Sequence, residues 1–238
     1  MNRILRSSVS KIRALTYVSC PPRHVQRTVS VHTTSVRYSD ETGGRTTDYS
    51  RFPVPEMEDL PQDVRDRMTE VEEKSGFMPN VFNALSYRPD DLRCFLNYYD
   101  VVMADRGNLT KADKEMIIVA TSSDNSCLYC IIAHGALHRI YSRNSQLADQ
   151  LAANWKTADI DARQYAIIDF AMDVCHCRPL SEEKFENLYK HGLTKDDAWD
   201  IGAVAALFAL SNRMAYLTNM KPNKEFYLMG RVKQEKKE

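Results

Sequence analysis

The sequence predicts an all-α domain, and three observations lead to this prediction. Beyond residue 50, nearly every segment repeats its apolar residues at the helical period of about 3.6. The strict alternation of apolar and polar residues that marks a half-buried strand is absent from the sequence. Glycine occurs only eight times in 238 residues, and helix start and stop signals are clear. We therefore expect one helical domain over residues 51–231.

Proline and glycine divide the first half of this domain into short helices. Leu60-Pro61 opens a charged helix over 61–74, because proline is tolerated in the first turn of a helix but not in its interior. Pro79 breaks the chain before a predicted helix over 81–85. Pro89 breaks it again before a helix over 91–103, and Gly107 ends that helix.

A capping box marks the start of the next helix. The side chains of Thr110 and Asp113 can each accept a hydrogen bond from the other's backbone N–H, which predicts a helix over 111–121. A polar loop, 122–126, precedes a helix over 127–141. Further helices are expected over 145–154, 162–175, 181–191 and 195–218. The last contains the longest apolar run, 201–210, which is too short for the roughly 20 residues of a bilayer span. We therefore expect a buried helix and no membrane partner.

A weak internal repeat lies within the helical domain. The segment 109–113, LTKAD, recurs as 193–197, LTKDD, and each copy follows a helix closed by a glycine. The same alignment places Ser211 opposite Cys127 and Met214 opposite Cys130. This pattern predicts a duplicated helical unit whose second copy has lost its thiols.

The first 39 residues have the composition of a targeting segment. They contain seven Arg or Lys residues, no acidic residue and many Ser and Thr, which is typical of a mitochondrial transit peptide. We expect a transit peptide over 1–38, a linker over 39–50, a charged tail over 232–238 and a location in the mitochondrial matrix. After residue 39 the chain has 25 basic and 32 acidic residues. This net charge of −7, without a basic stripe, gives no sign of a nucleic-acid partner.

The candidate chemistry lies in one short stretch of the chain. A helical period places Cys127, Cys130, His134 and His138 on one stripe. A helix N-terminus favours the thiolate at Cys127, whereas His134 stands one turn beyond Cys130 and can accept its proton. From the residues alone, either sulfur can be the one that attacks.

Other kinds of site fit this stretch less well. Haem attachment requires a histidine directly after the second cysteine, and Ile131 occupies that position. A structural zinc site needs four ligands, so Cys127, Cys130 and His134 would need a distant fourth from the segment 175–177. Inert buried thiols remain an alternative, although the polar loop upstream argues against burying both. A redox-active dithiol is the favoured prediction.

The spacing from Glu115 to Cys127, Cys130 and His134 resembles the Glu-x11-Cys-x-x-Cys-x-x-x-His pattern of the alkyl hydroperoxidase D-like (AhpD-like), or carboxymuconolactone decarboxylase, superfamily. The resemblance covers residues 51–231. Within this superfamily, the resemblance is greatest to the peroxidase-related branch, through Leu109-Thr110, Tyr129-Cys130 and Asn212-Arg213. Members of this superfamily have an all-α fold with an internal duplication.

The resemblance implies a thiol-dependent peroxidase, a peroxiredoxin-type oxidoreductase similar to alkyl hydroperoxide reductases, that needs no cofactor and no metal. Cys130 would attack a hydroperoxide and become a sulfenic acid, Cys127 would resolve it, and His134 as base with Glu115 would relay the proton. Tyr129 stands where the best-characterised relatives have a second relay histidine, and is a candidate hydrogen-bond donor. A dithiol such as dihydrolipoamide or a thioredoxin-like protein would be the reductant, and the assembly a homotrimer or hexamer.

Two alternatives stay open. The first is a redox-sensing or binding protein without useful turnover, which the Tyr129 replacement favours. The second is a cofactor-free decarboxylase-type lyase, which would not need two thiols. We expect the other residues of reactive types to be structural. Cys94 should belong to the core, the segment Cys175-His176-Cys177 should be packing, His138 should lie on a helix surface or interface, and Trp155 and Trp199 should lie in the core or an interface. For Asn212-Arg213 both a capping role and a substrate-side role are considered.

Overall fold

The computed structural model describes residues 45–231, and most of this part of the chain is helical. The all-α prediction is confirmed. Ten α-helices are present within the described residues: α1 Gln62–Ser75, α2 Asn80–Leu85, α3 Pro89–Met103, α4 Lys111–Asp124, α5 Leu128–Ser142, α6 Leu147–Asn154, α7 Ala162–Cys175, α8 Glu182–Lys190, α9 Lys195–Thr218 and α10 Glu225–Leu228. Two single turns of 3-10 helix are also present: Met57–Asp59 precedes α1, and Trp155–Thr157 lies between α6 and α7.

A small β-hairpin precedes the helices. Strands β1 (Arg45–Thr47) and β2 (Ser50–Val54) pair antiparallel, with Thr47 opposite Ser50. Residues 45–50 of the predicted linker, 39–50, lie in this hairpin, which the sequence did not predict because strands this short carry too few alternating residues to be detected. The predicted transit peptide (1–38), the start of the linker and the tail (232–238) lie outside the described residues.

Helix α4 forms the centre of the domain. It packs against α5, α6, α7 and α9, and Met116, Ile117 and Ile118 are fully buried. Lys114 is buried too, and its Nζ donates to the carbonyls of Val102 and Ala104 at distances of 3.0 and 2.7 Å. Because this helix contacts neighbours on several sides, every residue from Asp113 to Ser122 is buried, and its apolar residues do not form a single face.

The predicted capping box is present, and the repeated segment 193–197 forms a second one. Thr110 and Asp113 exchange hydrogen bonds at the start of α4, and Thr194 and Asp197 do the same at the start of α9. Asp197 also accepts from the backbone and side-chain N–H groups of Asn108, which ties the start of α9 to the chain just before α4. The two copies of the predicted repeat are thus alike in the capping box and in the helix that follows it. Where the first copy breaks between α4 and α5, α9 runs on unbroken, so the rest of the duplication stays a prediction.

Helix α9 is long and apolar, and it is a core element rather than an isolated span. By length and composition alone it could cross a membrane, but half of its apolar window is buried inside the fold. It packs against α4, α7, α3, α5 and α8, and Val204, Ala205 and Phe208 belong to the main core cluster.

Trp199, expected in the core or an interface, lies outside the core at 77% exposure, and its place in an interface stays a prediction. Two structural expectations from the sequence are wrong. Cys94 is exposed, because it lies on the outer face of α3 beside the buried Leu92 and Leu96. His138, expected at a helix surface, is 1% exposed. In each case the local helical pattern gave the secondary structure correctly, but the neighbouring helix that decides burial comes from a distant part of the chain.

Candidate active site

The dithiol lies at the start of α5. Cys127 is the N-cap residue, and its backbone N–H donates to the carbonyl of Ser122 at 2.9 Å across a tight turn in which Ser126 has φ +55°. Cys130 follows in the first turn of the helix. Both cysteines are free thiols and both are buried, at 2% and 1% exposure. The predicted stripe of sulfur on one helix face is therefore present, but it faces inward.

The two sulfurs have opposite electrostatic environments. The Cys130 thiol donates to Cys127, which is the main cause that lowers the pKa of Cys127, and the backbone N–H groups of Cys130 and Tyr129 at the helix N-terminus lower it further. The same hydrogen bond and burial raise the pKa of Cys130 well above its ordinary value. Of the two thiols, Cys127 is therefore the one that ionises more readily.

Glu115 and His134 form the predicted pair. Glu115 lies on α4 with a side chain that is 1% exposed, and its Oε2 is 2.7 Å from Nδ1 of His134 on α5. The His134 ring packs edge-on against Phe208 of α9, with ring centroids 4.6 Å apart. A carboxylate at this distance accepts from Nδ1–H and fixes the tautomer in which Nε2 carries the free lone pair.

In the described contacts, the Tyr129 hydroxyl accepts a hydrogen bond and is not seen to donate one. Its hydroxyl oxygen accepts a hydrogen bond from the backbone N–H of Val81 on α2, at 3.2 Å. Its ring packs edge-on against Phe226 of α10, and burial raises the pKa of the hydroxyl. Tyr129 thus joins α2, α5 and α10, whereas donation from it to the dithiol stays a prediction.

A polar cluster on α4 and α9 adjoins Cys130. Ser211 Oγ lies 3.8 Å from Cys130 Sγ, and Ser122 Oγ donates to Asn212 Oδ1 at 3.0 Å. All three polar side chains are buried. From the sequence, Ser122 was expected in a loop, and Ser211 had no expected role. The alignment of the repeat pointed to Ser211 as a possible site residue, since it placed Ser211 opposite the Cys127 thiol.

Helices α2 and α10 cover the dithiol. The apolar side chains packed around the two cysteines come from α2, from the end of α9 and from the C-terminal segment; they include Ala84, Ala215, Met220 and Phe226. Asn223 fastens the two covering segments together, since its Oδ1 accepts from Asn80 N–H and its Nδ2 donates to the Met78 carbonyl. A reactant that reaches the sulfurs must pass this cover.

The remaining candidates lie apart from the dithiol in their described contacts. Cys175 receives a hydrogen bond from Asn125, His176 bonds Asp124 at 2.6 Å, and Cys177 is exposed. Among residues 45–231, no group of three or more His, Cys, Asp or Glu side chains is arranged to hold a metal ion. Arg213 is exposed and donates to the Ala209 carbonyl within its own helix.

This geometry coincides with similarity to proteins of known family. Residues 89–142, which contain Glu115 and the dithiol, match the model of the carboxymuconolactone decarboxylase family. An uncharacterised peroxidase-related protein with an AhpD core from Ralstonia eutropha JMP134 is 53% identical, with a TM-score of 0.77, over 79% of this chain and 99% of its own. A peroxidase-related protein from Silicibacter sp. TM1040 is 34% identical, with a TM-score of 0.72, over 79% and 98%.

The chain therefore belongs to the AhpD-like, or carboxymuconolactone decarboxylase, superfamily. The debrominase Bmp8 shares the fold at 20% identity, with a TM-score of 0.59 over 78% of this chain and 97% of its own. No curated protein matches the chain. The family relationship is thus shown by the peroxidase-related proteins, while Bmp8 extends the fold to a different chemistry.

Proposed function

We propose that this protein is a thiol-dependent antioxidant hydroperoxidase, or disulfide reductase, that works through the dithiol Cys127–Cys130. The observation that carries the proposal is the juxtaposition of two hydrogen-bonded buried thiols with a buried Glu115–His134 pair. The family relationship to peroxidase-related proteins supports it.

The proposed cycle has three balanced steps. The thiolate of Cys130 attacks the terminal oxygen of a hydroperoxide, the O–O bond breaks, and the alkoxide leaves as an alcohol after it gains a proton. The sulfur becomes a sulfenic acid. Cys127 then attacks that sulfur, releasing water and forming a disulfide, and an external dithiol reduces the disulfide back to two thiols while becoming oxidised itself.

The step that forms the Cys130 thiolate requires a proton acceptor. The hydrogen bond between the thiols favours ionisation of Cys127 over Cys130, so attack by Cys130 requires its proton to move. Either Cys127 or the unprotonated Nε2 of His134 can take it, and Glu115 holds His134 in the tautomer that leaves Nε2 free. The direct contact between the sulfurs favours Cys127 as the first acceptor and His134 as the group that delivers the proton to the leaving oxygen.

The burial of the dithiol suits a small reductant. Both sulfurs are at most 2% exposed under the cover of α2 and α10, so a slim dithiol such as dihydrolipoamide can reach them more readily than the surface of a thioredoxin-like protein. The Arg-rich, acid-free first 39 residues support a location in the mitochondrial matrix. The exposed Trp199, Leu210 and Leu217 on α9 support assembly into a homotrimer or hexamer.

A redox-sensing protein is the second candidate, because of Tyr129. The hydroxyl that stands in place of the second relay histidine is bonded to the α2 backbone, and a phenol is a poor base at neutral pH. A sensor of this kind would form the same disulfide once per oxidation event without rapid turnover. Its disulfide would change the packing of α2 and α10 rather than consume peroxide.

Turnover distinguishes the two candidates. Reduced protein is mixed with tert-butyl hydroperoxide and dihydrolipoamide, and peroxide loss is followed over many enzyme equivalents, with Cys127→Ser and Cys130→Ser as paired controls. The peroxidase proposal expects multiple turnovers that both variants abolish. One equivalent of peroxide consumed without further loss would contradict the peroxidase and favour the sensor.

A further inference from the structure

We infer that Ser122, Ser211 and Asn212 form a hydrogen-bond donor set that stabilises negative charge on Cys130, and so directs peroxide attack to Cys130 rather than Cys127. The inference rests on the proposed function for its role in catalysis. It adds three residues outside the thiols and the Glu115–His134 pair: Ser122 on α4, and Ser211 and Asn212 on α9. Ser211 touches the reacting sulfur, and Asn212 acts through Ser122 as a positioning residue.

The first argument comes from the direction of the two serine hydroxyls. Within a helix, a buried Ser or Thr hydroxyl commonly donates to a carbonyl one turn earlier, as Thr121 does to Ile117 and Thr218 to Met214. Ser122 directly follows Thr121, and Ser211 lies on the same helix as Thr218. Both serines instead make contacts between helices. Two buried hydroxyls therefore contact side chains where α4, α5 and α9 meet, rather than carbonyls of their own helices.

The second argument is an unpaired donor. Asn212 is 1% exposed, its Oδ1 accepts from Ser122, and its Nδ2 has no hydrogen-bond partner within the described part of the chain. A buried amide N–H without an acceptor is costly and uncommon. Its presence in the cluster that adjoins Cys130 fits an amide that changes its hydrogen-bond partners during the reaction.

A half-turn of the Asn212 amide supplies that acceptor. Rotation exchanges Oδ1 and Nδ2, so that Nδ2–H donates to Ser122 Oγ and the Ser122 proton becomes free to turn toward Cys130. When Cys130 is a neutral thiol, it donates its proton to Cys127 and needs no donor from Ser122, which bonds Asn212 instead. When Cys130 is a thiolate, the rotated arrangement gives its sulfur two hydroxyl donors, Ser122 and Ser211.

The electrostatic balance agrees with this assignment. Contacts with Ser211 and Ser122 lower the pKa of Cys130, against the larger raising effects of Cys127 and burial. Hydrogen bonds to an ionised acceptor are stronger than those to a neutral one. The donor set therefore acts when the charge moves from Cys127 to Cys130, and the same donors can meet the oxygen that Cys130 receives from the peroxide.

The test measures the Cys130 thiol directly. In a Cys127→Ser background, the rate of iodoacetamide alkylation is followed from pH 5 to pH 11 by the mass of the Cys130 peptide, in Ser122→Ala, Ser211→Ala and Asn212→Asp variants. Ser123→Ala is the matched control, because Ser123 neighbours Ser122 on α4 and donates to the Ala152 carbonyl instead. We expect each of the three variants to leave about tenfold less thiolate at a given pH, an upward shift of about one pKa unit, with no shift in the control.

A second measurement separates this inference from the proposed function. Sulfenic acid on Cys130 is trapped with dimedone after addition of hydrogen peroxide, and the three variants should be trapped about tenfold more slowly than the control. If all variants match Ser123→Ala in both measurements, the donor set is wrong even when peroxide still oxidises the dithiol. If peroxide leaves the thiols untouched but the alkylation profiles shift, the donor set stands and the peroxidase proposal fails. Should Asn212→Asp not fold, the two serine variants decide the result.

Discussion

Replacing Glu115 with Gln should slow formation of the dithiol's disulfide by about 10²-fold, the usual contribution of a positioned acid–base group. The carboxylate is 2.7 Å from His134 Nδ1, and its side chain is 1% exposed. As an acceptor only, it holds the proton on Nδ1 and leaves Nε2 unprotonated. A Gln amide can either accept or donate, so both tautomers become populated and His134 loses its fixed role.

The structure also sets the effect on stability. In His134→Ala the buried Glu115 carboxylate loses its hydrogen-bond donor, and leaving a buried charged group without that donor costs upwards of about 1–3 kcal/mol. Glu115→Gln removes the charge and keeps the shape, so its free energy of unfolding should fall by much less. Combining Glu115→Gln with His134→Ala should therefore restore part of the stability that His134→Ala alone removes.

Rapid-quench measurement of free thiols after peroxide addition tests the kinetic part. Because the two residues act as one unit, the double variant should be little slower than either single variant. Asp200→Asn is the matched control: Asp200 is a buried carboxylate paired with Arg106, and its loss should reduce stability but not the rate of disulfide formation. The reasoning is refuted if the two rate losses multiply, or if Glu115→Gln reacts within about twofold of the unaltered protein.

Two further predictions concern stability and access. Burial lowers the pKa of His138 to about 4 from its ordinary 6.5. Between pH 6.5 and pH 4 the unfolded state therefore binds a proton that the folded state does not. The free energy of unfolding then falls as the pH falls, by up to about 3 kcal/mol. Urea unfolding at pH 7 and pH 4.5 should show this loss, and His138→Leu should remove most of it; an unchanged pH dependence would contradict the burial argument. Asn223→Ala removes two of the hydrogen bonds that join residues 78–80, at the start of α2, to the C-terminal segment, and leaves the bond from Asn80 Nδ2 to the Lys221 carbonyl. It should speed labelling of the dithiol by 5,5'-dithiobis(2-nitrobenzoate) several-fold while the exposed Cys94 reacts as before. Equal labelling of the dithiol with and without Asn223 would show that this contact does not restrain the cover.

The sequence predicted the helices well where local signals decide them. Proline breaks and capping boxes act within one turn, so the start of α4 at Lys111 and both ends of α9 agree with the structure. The Glu115–His134 pair was predicted from motif spacing that resembles the family, and the structure places the two atoms in hydrogen-bond contact. Local periodicity alone could not have joined them, because they lie on different helices.

What the sequence could not predict depends on contacts between distant segments. Ser122 and Ser211 lie on different helices, and only the packing of α4, α5 and α9 makes them neighbours of Cys130. Likewise, the burial of both thiols results from the cover formed by α2 and α10, whereas the polar loop before Cys127 suggested exposure. The motif gave the chemistry of the site, while its access and charge distribution are properties of the tertiary fold.

Intact mass after a single turnover with hydrogen peroxide tests the central claim most directly. Fully reduced protein is exposed to one equivalent of peroxide, quenched with an alkylating reagent and weighed, alongside Cys127→Ser, Cys130→Ser and a Cys94→Ser control. The account predicts loss of two hydrogens in the unaltered protein and in the Cys94 control, a dimedone-reactive sulfenic acid in Cys127→Ser, and no disulfide in either dithiol variant. Unchanged mass in the unaltered protein, or stoichiometric zinc bound to the purified thiols, would contradict the redox dithiol.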